Sequence, residues 1–409
     1  MKAAHYFLPT IIASFAFAGM TAPAASAATT TVIYSFAGDE DGEYTDTDLV
    51  MDNAGNIYGT SVQGGAHGSG TVWELSPAGN SWTHSVLYSF TGGADGGEPY
   101  KGVTLDAVGN LYGTAVTGGS GSCEGGCGVA YKLTNNGGTW TQSVIHAFTG
   151  GDDGSGPGAR LTVADDGNVY GMAPTGGVNG AGTIYKIHPG KHGKWTLTVI
   201  HAFTGGADGI GGSAGAMVFR GKHLYGAVTA GGVNGDGVIY ELTPAKTGEW
   251  GFKAIYSFKG EPDGAFPYGG LTFDAMGNIY GTTYYDGEDE VGMVYELMPR
   301  HSGEWKEKVL YSFKGGNDGA NSIGNVVLDN TGNLYGTTSE GGAGGRGVIF
   351  QLTPGMRNKW HESVVHSFSG PPDGSFSYNG MVGDGAGNFY GATVHGGADD
   401  EGAIYKFTP

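Results

Sequence analysis

Proline and basic residues are scarce in this chain. It has 409 residues with Gly 83 but only Pro 15, and the glycines follow no strict triplet period, so collagen is excluded. Lys+Arg 20 against Asp+Glu 39 give a formal net charge of -19, which disfavours nucleic acid and anionic membrane surfaces as partners. Aromatic residues make up 12% of the chain and recur at a regular spacing, which disordered chains do not show.

Long apolar runs are absent beyond the first 27 residues. Lys2 is followed by an apolar core from Phe7 to Gly19, too short to span a bilayer, and by a small-residue cleavage pattern at Ala25–Ala27. We therefore predict a signal peptide at residues 1–27 and a mature protein that is periplasmic or secreted, with no membrane span. No cysteine lies near the cleavage site, so a lipid anchor is not expected.

The rest of the chain is a sevenfold repeat. "FTGGADG" occurs twice, and near copies complete a series that is spaced about 55 residues apart. The series begins at Phe36, Phe90, Phe148, Phe203, Phe258, Phe313 and Phe368. "GNLYGT"-like segments and single tryptophans keep the same beat, so one unit of seven repeats is expected over residues 28–409. The repeats begin near residues 34, 88, 146, 201, 256, 311 and 366.

Helical periodicity is also lacking, and each repeat reads as four short strands. In repeat five these are residues 270–274, 278–285, 292–298 and 304–313, which we name a, b, c and d. Four strands repeated seven times predict an all-β fold, a seven-bladed β-propeller with four antiparallel strands per blade. A β-solenoid is the rival, but its coils are usually shorter.

The last repeat stops after strand c, at residues 403–409, whereas residues 29–36 read as a strand d with no a, b and c before it. We expect the N-terminal strand to complete the last blade and to close the ring without an exposed sheet edge.

The combined pattern SFxGxxDG, GNLYGT and GxVYxLT resembles the GloVer tandem-repeat family of exported bacterial proteins. The resemblance covers roughly residues 32–409. Many members of that family carry a C-terminal anchoring signal, and no such signal follows Pro409 here. The family has no established catalytic residues, so the resemblance transfers none to this chain.

One aspartate recurs in every FxGxxDG loop. The seven are Asp41, Asp95, Asp153, Asp208, Asp263, Asp318 and Asp373. In a propeller this loop crosses from strand d of one blade to strand a of the next, and its aspartate can accept hydrogen bonds from loop amides. The alternative is a ring of carboxylates that binds Ca²⁺, although one carboxylate per loop is few for a calcium site. No other cofactor is expected.

The b–c loops diverge most, which makes their face the better place for a ligand. Repeat five has the loop "YYDGEDEVG", in which two aromatic side chains stand beside four carboxylates. The residues are Tyr284, Tyr285, Asp286, Glu288, Asp289 and Glu290. They could stack on a sugar ring or hold a cation; a solvated acidic loop is the plainer interpretation.

Repeat two carries the only cysteines, Cys123 and Cys127, in a loop that is longer than its counterparts. In an exported protein this spacing predicts a local disulfide, because no second ligand pair with zinc spacing accompanies it.

Two functions remain from the sequence. The first is a noncatalytic binding or scaffold propeller, a monomer whose loop face takes a glycan, a cation or a protein. The second is a propeller enzyme, such as a lyase or glycosidase of an extracellular polymer. An enzyme needs a local break in the repeat. The breaks that we see, Arg220 with Lys222 and His223, and the acidic loop of repeat five, lie on opposite faces, so binding is favoured.

Overall fold

The computed structural model describes residues 28–212 and 215–409; the expected signal peptide lies outside the described residues. The described chain forms seven four-stranded antiparallel sheets and no α-helix, and these sheets are the blades of a β-propeller. The predicted fold class is confirmed.

Each blade runs from an inner strand a to an outer strand d. The a strands are β2 Val50–Met51, β6 Val103–Leu105, β10 Thr162–Val163, β14 Val218–Arg220, β18 Thr272–Phe273, β22 Val327–Leu328 and β27 Val382–Gly383. The b strands are β3 Ile57–Ser61, β7 Leu111–Ala115, β11 Val169–Ala173, β15 His223–Val228, β19 Ile279–Thr283, β23 Leu334–Thr338 and β28 Phe389–Thr393. The c strands are β4 Thr71–Ala78, β8 Val129–Asn136, β12 Thr183–Pro189, β16 Val238–Pro244, β20 Met293–Pro299, β24 Val348–Pro354 and β30 Ala403–Thr408.

The d strands of blades 1 to 6 are β5 Ser81–Ser89, β9 Thr139–Ala147, β13 Trp195–Ala202, β17 Trp250–Ser257, β21 Trp305–Ser312 and β25 Trp360–Ser367. The outer strand of blade 7 is β1, Thr29–Ser35, which pairs antiparallel with β30. Two short strands, β26 (Gly374–Ser375) and β29 (His395–Gly396), pair outside the blades, and three 3-10 turns cover Lys191–Gly193, Gly316–Asp318 and Met356–Asn358. The strands predicted in repeat five are all present, each shorter than or shifted by one to three residues from the predicted range.

A glycine–aromatic pair explains the YGT motif. The glycine of each b strand lies opposite an aromatic residue of strand c; in blade 2, Gly113 pairs with Tyr131. A Cβ on Gly113 would collide with the phenol ring of Tyr131, so the motif needs glycine at this point. The seven aromatic partners are Trp73, Tyr131, Tyr185, Tyr240, Tyr295, Phe350 and Tyr405, all fully or almost fully buried.

The first residue of each FxGxxDG loop locks neighbouring blades together. Phe90 follows strand d of blade 1 and packs edge-on against Tyr131 of blade 2, with ring centroids 5.0 Å apart. All seven of these phenylalanines are fully buried, so the hydrophobic clusters run from blade to blade around the ring. Nearer the hairpin ends, the repeated tryptophan packs against the tyrosine of the preceding blade, as Trp140 does against Tyr58.

The propeller has two unlike faces. The d–a and b–c loops meet at one end of every blade, as the bridge between Gly97 and Thr117 shows, and we call this end the loop face. The a–b and c–d turns form the opposite end, the hairpin face. The a strands line a central channel that runs between the two faces.

Candidate binding face

The repeated aspartates of the loop face act as loop caps. In blade 1, Asp95 accepts hydrogen bonds from the backbone N–H of Thr91 (2.9 Å) and from the hydroxyl of Tyr88 (2.9 Å). Burial opposes the ionisation of Asp95, but these hydrogen bonds outweigh it and lower the pKa of the carboxyl.

The other six copies have the same arrangement. Asp41, Asp153, Asp208, Asp263, Asp318 and Asp373 each bond the backbone N–H four residues earlier and the tyrosine or histidine seven residues earlier. Each carboxylate therefore serves its own loop. Over residues 28–212 and 215–409, no three His, Cys, Asp or Glu side chains are grouped to hold a metal ion.

In most blades, the capping aspartate is followed by a residue with a left-handed backbone conformation. Eight residues after the repeated phenylalanine, φ is +53° at Tyr44, +57° at Phe266 and +56° at Phe376. An L-residue in this region costs roughly 1–2 kcal/mol, and such strain clusters at functional sites. These three aromatic side chains stand where Gly156 adopts the same backbone without strain.

Aromatic side chains gather where the channel opens on the loop face. Tyr100, Tyr268 and Tyr378 stand ten residues after their phenylalanines and join the three left-handed aromatics. Together with Tyr284 and Tyr285 they form the aromatic mouth, which comprises Tyr44, Tyr100, Phe266, Tyr268, Tyr284, Tyr285, Phe376 and Tyr378. Sequence reasoning identified only the pair from repeat five.

The mouth has two sides. On the side of blade 5, Tyr284 packs edge-on against Tyr285 at 4.4 Å and against Tyr268 at 5.6 Å. On the other side, Tyr44, Tyr100 and Tyr378 line a cavity of about 280 Å³. Tyr44 and Tyr285 have 36% and 46% of their surface exposed, so both sides present open rings.

Polar groups lie at the centre of the mouth. The Lys101 ammonium is 2.7 Å from Asp46 Oδ1 and donates to Asn379 Oδ1 at 3.2 Å, while Asn379 Nδ2 donates to Asp46 at 2.9 Å. Burial raises the pKa of Tyr378, and the charges of Asp46 and Glu340 raise it further. The sequence does contain a signal for this polar group, because the d–a loops differ from one another at these positions.

The carboxylates of the repeat-five loop are spread out. Glu288, Asp289 and Glu290 are exposed, whereas Asp286 is half-buried. Burial raises the pKa of Asp286, and Asp236 and Glu290 raise it further. The loop brings its tyrosines to the mouth and leaves its acidic residues around the rim.

The remaining breaks in the repeat lie elsewhere. Arg220 covers the ring of Phe273 on the hairpin face (5.2 Å) and thereby joins blades 4 and 5, and His223 lies 2.6 Å from Glu241. The predicted disulfide between Cys123 and Cys127 is present, in the b–c loop of blade 2.

A family model described as the Gloeobacter/Verrucomicrobia repeat matches the chain three times, over residues 21–222, 120–321 and 213–409. The chain belongs to this repeat family. The resemblance noted in the sequence is thereby confirmed, and no curated protein matches this member of the family. In the described chain, no helix is both long and apolar enough to cross a membrane.

Three solved structures resemble this chain, at 11–15% sequence identity and TM-scores of 0.38–0.49. A protein of unknown function from Dyadobacter fermentans is 11% identical, with a TM-score of 0.38, covering 81% of this chain and 96% of its own. A putative oxidoreductase (glucose dehydrogenase) from Thermus thermophilus is 15% identical, with a TM-score of 0.42 and coverages of 75% and 95%. A protein from Lactobacillus plantarum is 13% identical, with a TM-score of 0.49 and coverages of 87% and 99%.

Proposed function

We propose that this protein is an exported, noncatalytic propeller that binds a carbohydrate at the aromatic mouth. The observation that carries the proposal is the clustering of aromatic rings and polar acceptors around one opening. Sugar rings have apolar C–H faces that pack on aromatic rings, and their hydroxyls need hydrogen-bond partners. Asp46 and Gln63 supply such partners at the mouth.

Charge narrows the class of carbohydrate. Most of the Asp and Glu residues of the chain lie in the d–a and b–c loops, and the basic residues of these loops are Lys101, Arg160, Lys259, Lys314 and Arg346. A face of this charge repels polyanions. We therefore propose a neutral or amino-substituted glycan, and export is supported by the N-terminal pattern of the sequence and by the disulfide.

The mouth offers less to the alternative, a lyase or glycosidase. A glycosidase needs two carboxyls whose pKa values are driven apart on either side of the scissile bond. At the mouth, the Asp46 carboxylate is already bonded to Lys101 and Asn379, an arrangement that suits a positioning role. We therefore favour binding.

The test is a binding screen of the purified protein against xylan, cellulose and chitin, with alginate and polygalacturonate as polyanions. We expect affinity for at least one of the first three and none for the last two. Exchanging Tyr44 and Tyr285 together for alanine should weaken that affinity at least tenfold. The control is Met276→Ala with Val108→Ala, which removes exposed apolar side chains from the hairpin face.

Equal binding by both double variants would refute the aromatic mouth as the site. Binding that requires calcium would instead point to a cation-bridged contact at the rim, and release of reducing ends from a bound polymer would favour the enzyme.

A further inference from the structure

The central channel contains a second space, deeper than the mouth and joined to it by a neck. Just inside the mouth the described part of the channel narrows to a space of about 20 Å³, lined by Lys101, Tyr378 and Asn379 among others. Glycines permit this narrowing: a Cβ on Gly324 would overlap the backbone of Asn379 in the next blade. Beyond this neck the channel widens again.

The wider space, which we call the chamber, has a volume of about 280 Å³. Much of its wall is apolar, from Leu161, Met217 and Leu271. Two ionisable side chains of opposite type also line it, Asp48 and Arg160. Both side chains retain some solvent exposure although protein surrounds them, so the solvent that they meet is that of the channel.

The Arg160 side chain uses only part of its hydrogen-bonding capacity. Its Nε donates to Thr104 Oγ1 at 3.1 Å, and the Thr104 hydroxyl in turn donates to the backbone carbonyl of Leu161 at 2.6 Å, which fixes the direction of the guanidinium. Within residues 28–212 and 215–409, its terminal nitrogens make no hydrogen bond and no ion pair within 4.0 Å. Burial lowers the pKa of Arg160, and the charge of Asp48 opposes that effect.

The fold itself does not require these charges. Arg160 and Asp48 stand twelve residues after their repeated phenylalanines, where four of the seven blades have glycine and blade 6 has Asn325. The glycines are Gly102, Gly215, Gly270 and Gly380. A buried cation that the repeat can replace by glycine, and that lacks a close counter-ion among the described residues, is costly unless an anion joins it.

We propose that the chamber binds a small carboxylic acid that carries a hydroxyl or ammonium group next to its carboxylate. The two terminal nitrogens of Arg160 donate to the carboxylate oxygens, a pairing in which arginine is strong because its donors are parallel. Asp48 accepts from the neighbouring hydroxyl or ammonium, and Leu161 and Met217 contact the carbon body. This site is independent of carbohydrate binding at the mouth.

The test uses isothermal titration of the purified protein with lactate, alanine and propionate, and with sodium chloride and methylamine hydrochloride as controls. We expect binding of lactate or alanine, at least tenfold weaker binding of propionate, and no binding of the two controls. Arg160→Gln should weaken lactate or alanine binding at least tenfold, whereas Arg300→Gln, at an exposed arginine of the hairpin face, should not. Asp48→Asn should reduce the preference over propionate.

Absence of binding by all three acids, or equal binding by Arg160→Gln and the unchanged protein, would overturn the proposal. If Arg160→Gln fails to fold, the unchanged protein still decides: the ¹⁵N resonances of the Arg160 guanidinium should shift on titration with lactate or alanine. Resonances that stay constant at saturating acid would overturn the proposal as well. Binding at the mouth, measured with the polysaccharides, is expected to be the same in Arg160→Gln.

Discussion

The loop face and the hairpin face are built by the same seven repeats, yet they differ in chemistry. On the hairpin face, five of the a–b turns use one device, in which an aspartate accepts from the backbone and side chain of an asparagine four residues later, as Asp106 does from Asn110 (2.9 and 2.6 Å). On the loop face, the crossings share their cap but differ in the residues that follow it. The residues that fold each blade are therefore largely the same in the seven repeats, whereas the residues that surround the channel differ from repeat to repeat.

Charge follows the same division. The loop face holds most of the acidic residues, whereas basic residues concentrate on the hairpin face of blades 3 to 6. These are Lys191, Lys194, Lys222, Lys246, Arg300, Arg357 and Lys359. The net charge of -19 is therefore a property of one face more than of the whole molecule.

The two faces depend on one closed ring, and the largest effect is expected where the ring is joined. Deleting residues 29–36 removes β1 and Phe36, which packs against Trp73 of blade 1 (5.4 Å). Burial of Phe36, Ile33 and Tyr34 contributes roughly 1.5–3 kcal/mol each, so we expect a loss of about 5 kcal/mol. Thermal unfolding, followed by tryptophan fluorescence and by circular dichroism, measures it.

The control is a peptide of residues 29–36 added in trans, which should restore part of the stability. An unfolding temperature that does not change on deletion would contradict the closure.

The second largest effect is expected in the neck of the channel, where the backbones of neighbouring blades pack closely. Gly324→Ala places a methyl group against the backbone of Asn379, and backbone moves less readily than a side chain. We expect a loss of about 3 kcal/mol in urea unfolding. Gly251→Ala is the control, because its methyl group would meet only the carbonyl of Thr243, at 3.8 Å. Similar losses in the two variants would mean that the neck is not closely packed.

A third experiment breaks a turn of the hairpin face. Asp106→Ala removes the acceptor for Asn110, Val108 and Tyr112, and we expect a loss of about 2 kcal/mol at pH 7. Burial opposes ionisation of Asp106, but these hydrogen bonds prevail and lower its pKa. The stabilisation is therefore complete above the unfolded pKa of about 3.9 and disappears as the pH falls through the folded pKa.

Urea unfolding at pH 7 and at pH 3 measures this effect, with Asp106→Asn to separate charge from shape. A loss that is equally large at both pH values would show that packing, not the carboxylate, holds the turn.

The smallest effect has the opposite pH dependence. Glu307 lies on the outer strand of blade 5, where burial raises its pKa to about 7 and Asp263 of the preceding loop adds to the rise. The unfolded carboxyl ionises near 4.5, so stability falls as the pH rises from 4.5 to 7, and the full cost remains above pH 7.

Glu307→Gln should therefore gain about 1 kcal/mol at pH 8 and nothing at pH 4. Gln142 occupies the equivalent position in blade 2, where its amide donates to the backbone of Asp95 (3.1 Å). Glu249→Gln, at an exposed site, is the control. A gain at pH 4 as large as that at pH 8 would contradict a charge effect.

The fold was predictable because its signals are local and occur seven times. The strand pattern, the turn glycines and the repeated phenylalanine are all contained within one repeat of about 55 residues. Apart from Tyr284 and Tyr285, the residues of the mouth and the chamber were not predicted, because they meet only when the ring closes. Asp46 and Asn379, for example, are 333 residues apart and bond directly. Comparing the eighth to twelfth residue after each phenylalanine would have revealed the differing positions, although not their contacts.

The pairing of β1 with β30 also has a consequence for the order in which the blades are written. Thr29 and Thr408 are direct partners across the sheet, so a short linker can join them. The polypeptide can then be cut in an exposed c–d turn, such as the one at Gly137 and Gly138, to give a circular permutant with the same blades in the same neighbourhood. In such a ring, the gene and not the architecture decides which blade is first and which is last. The chain can therefore begin at any of the equivalent turns.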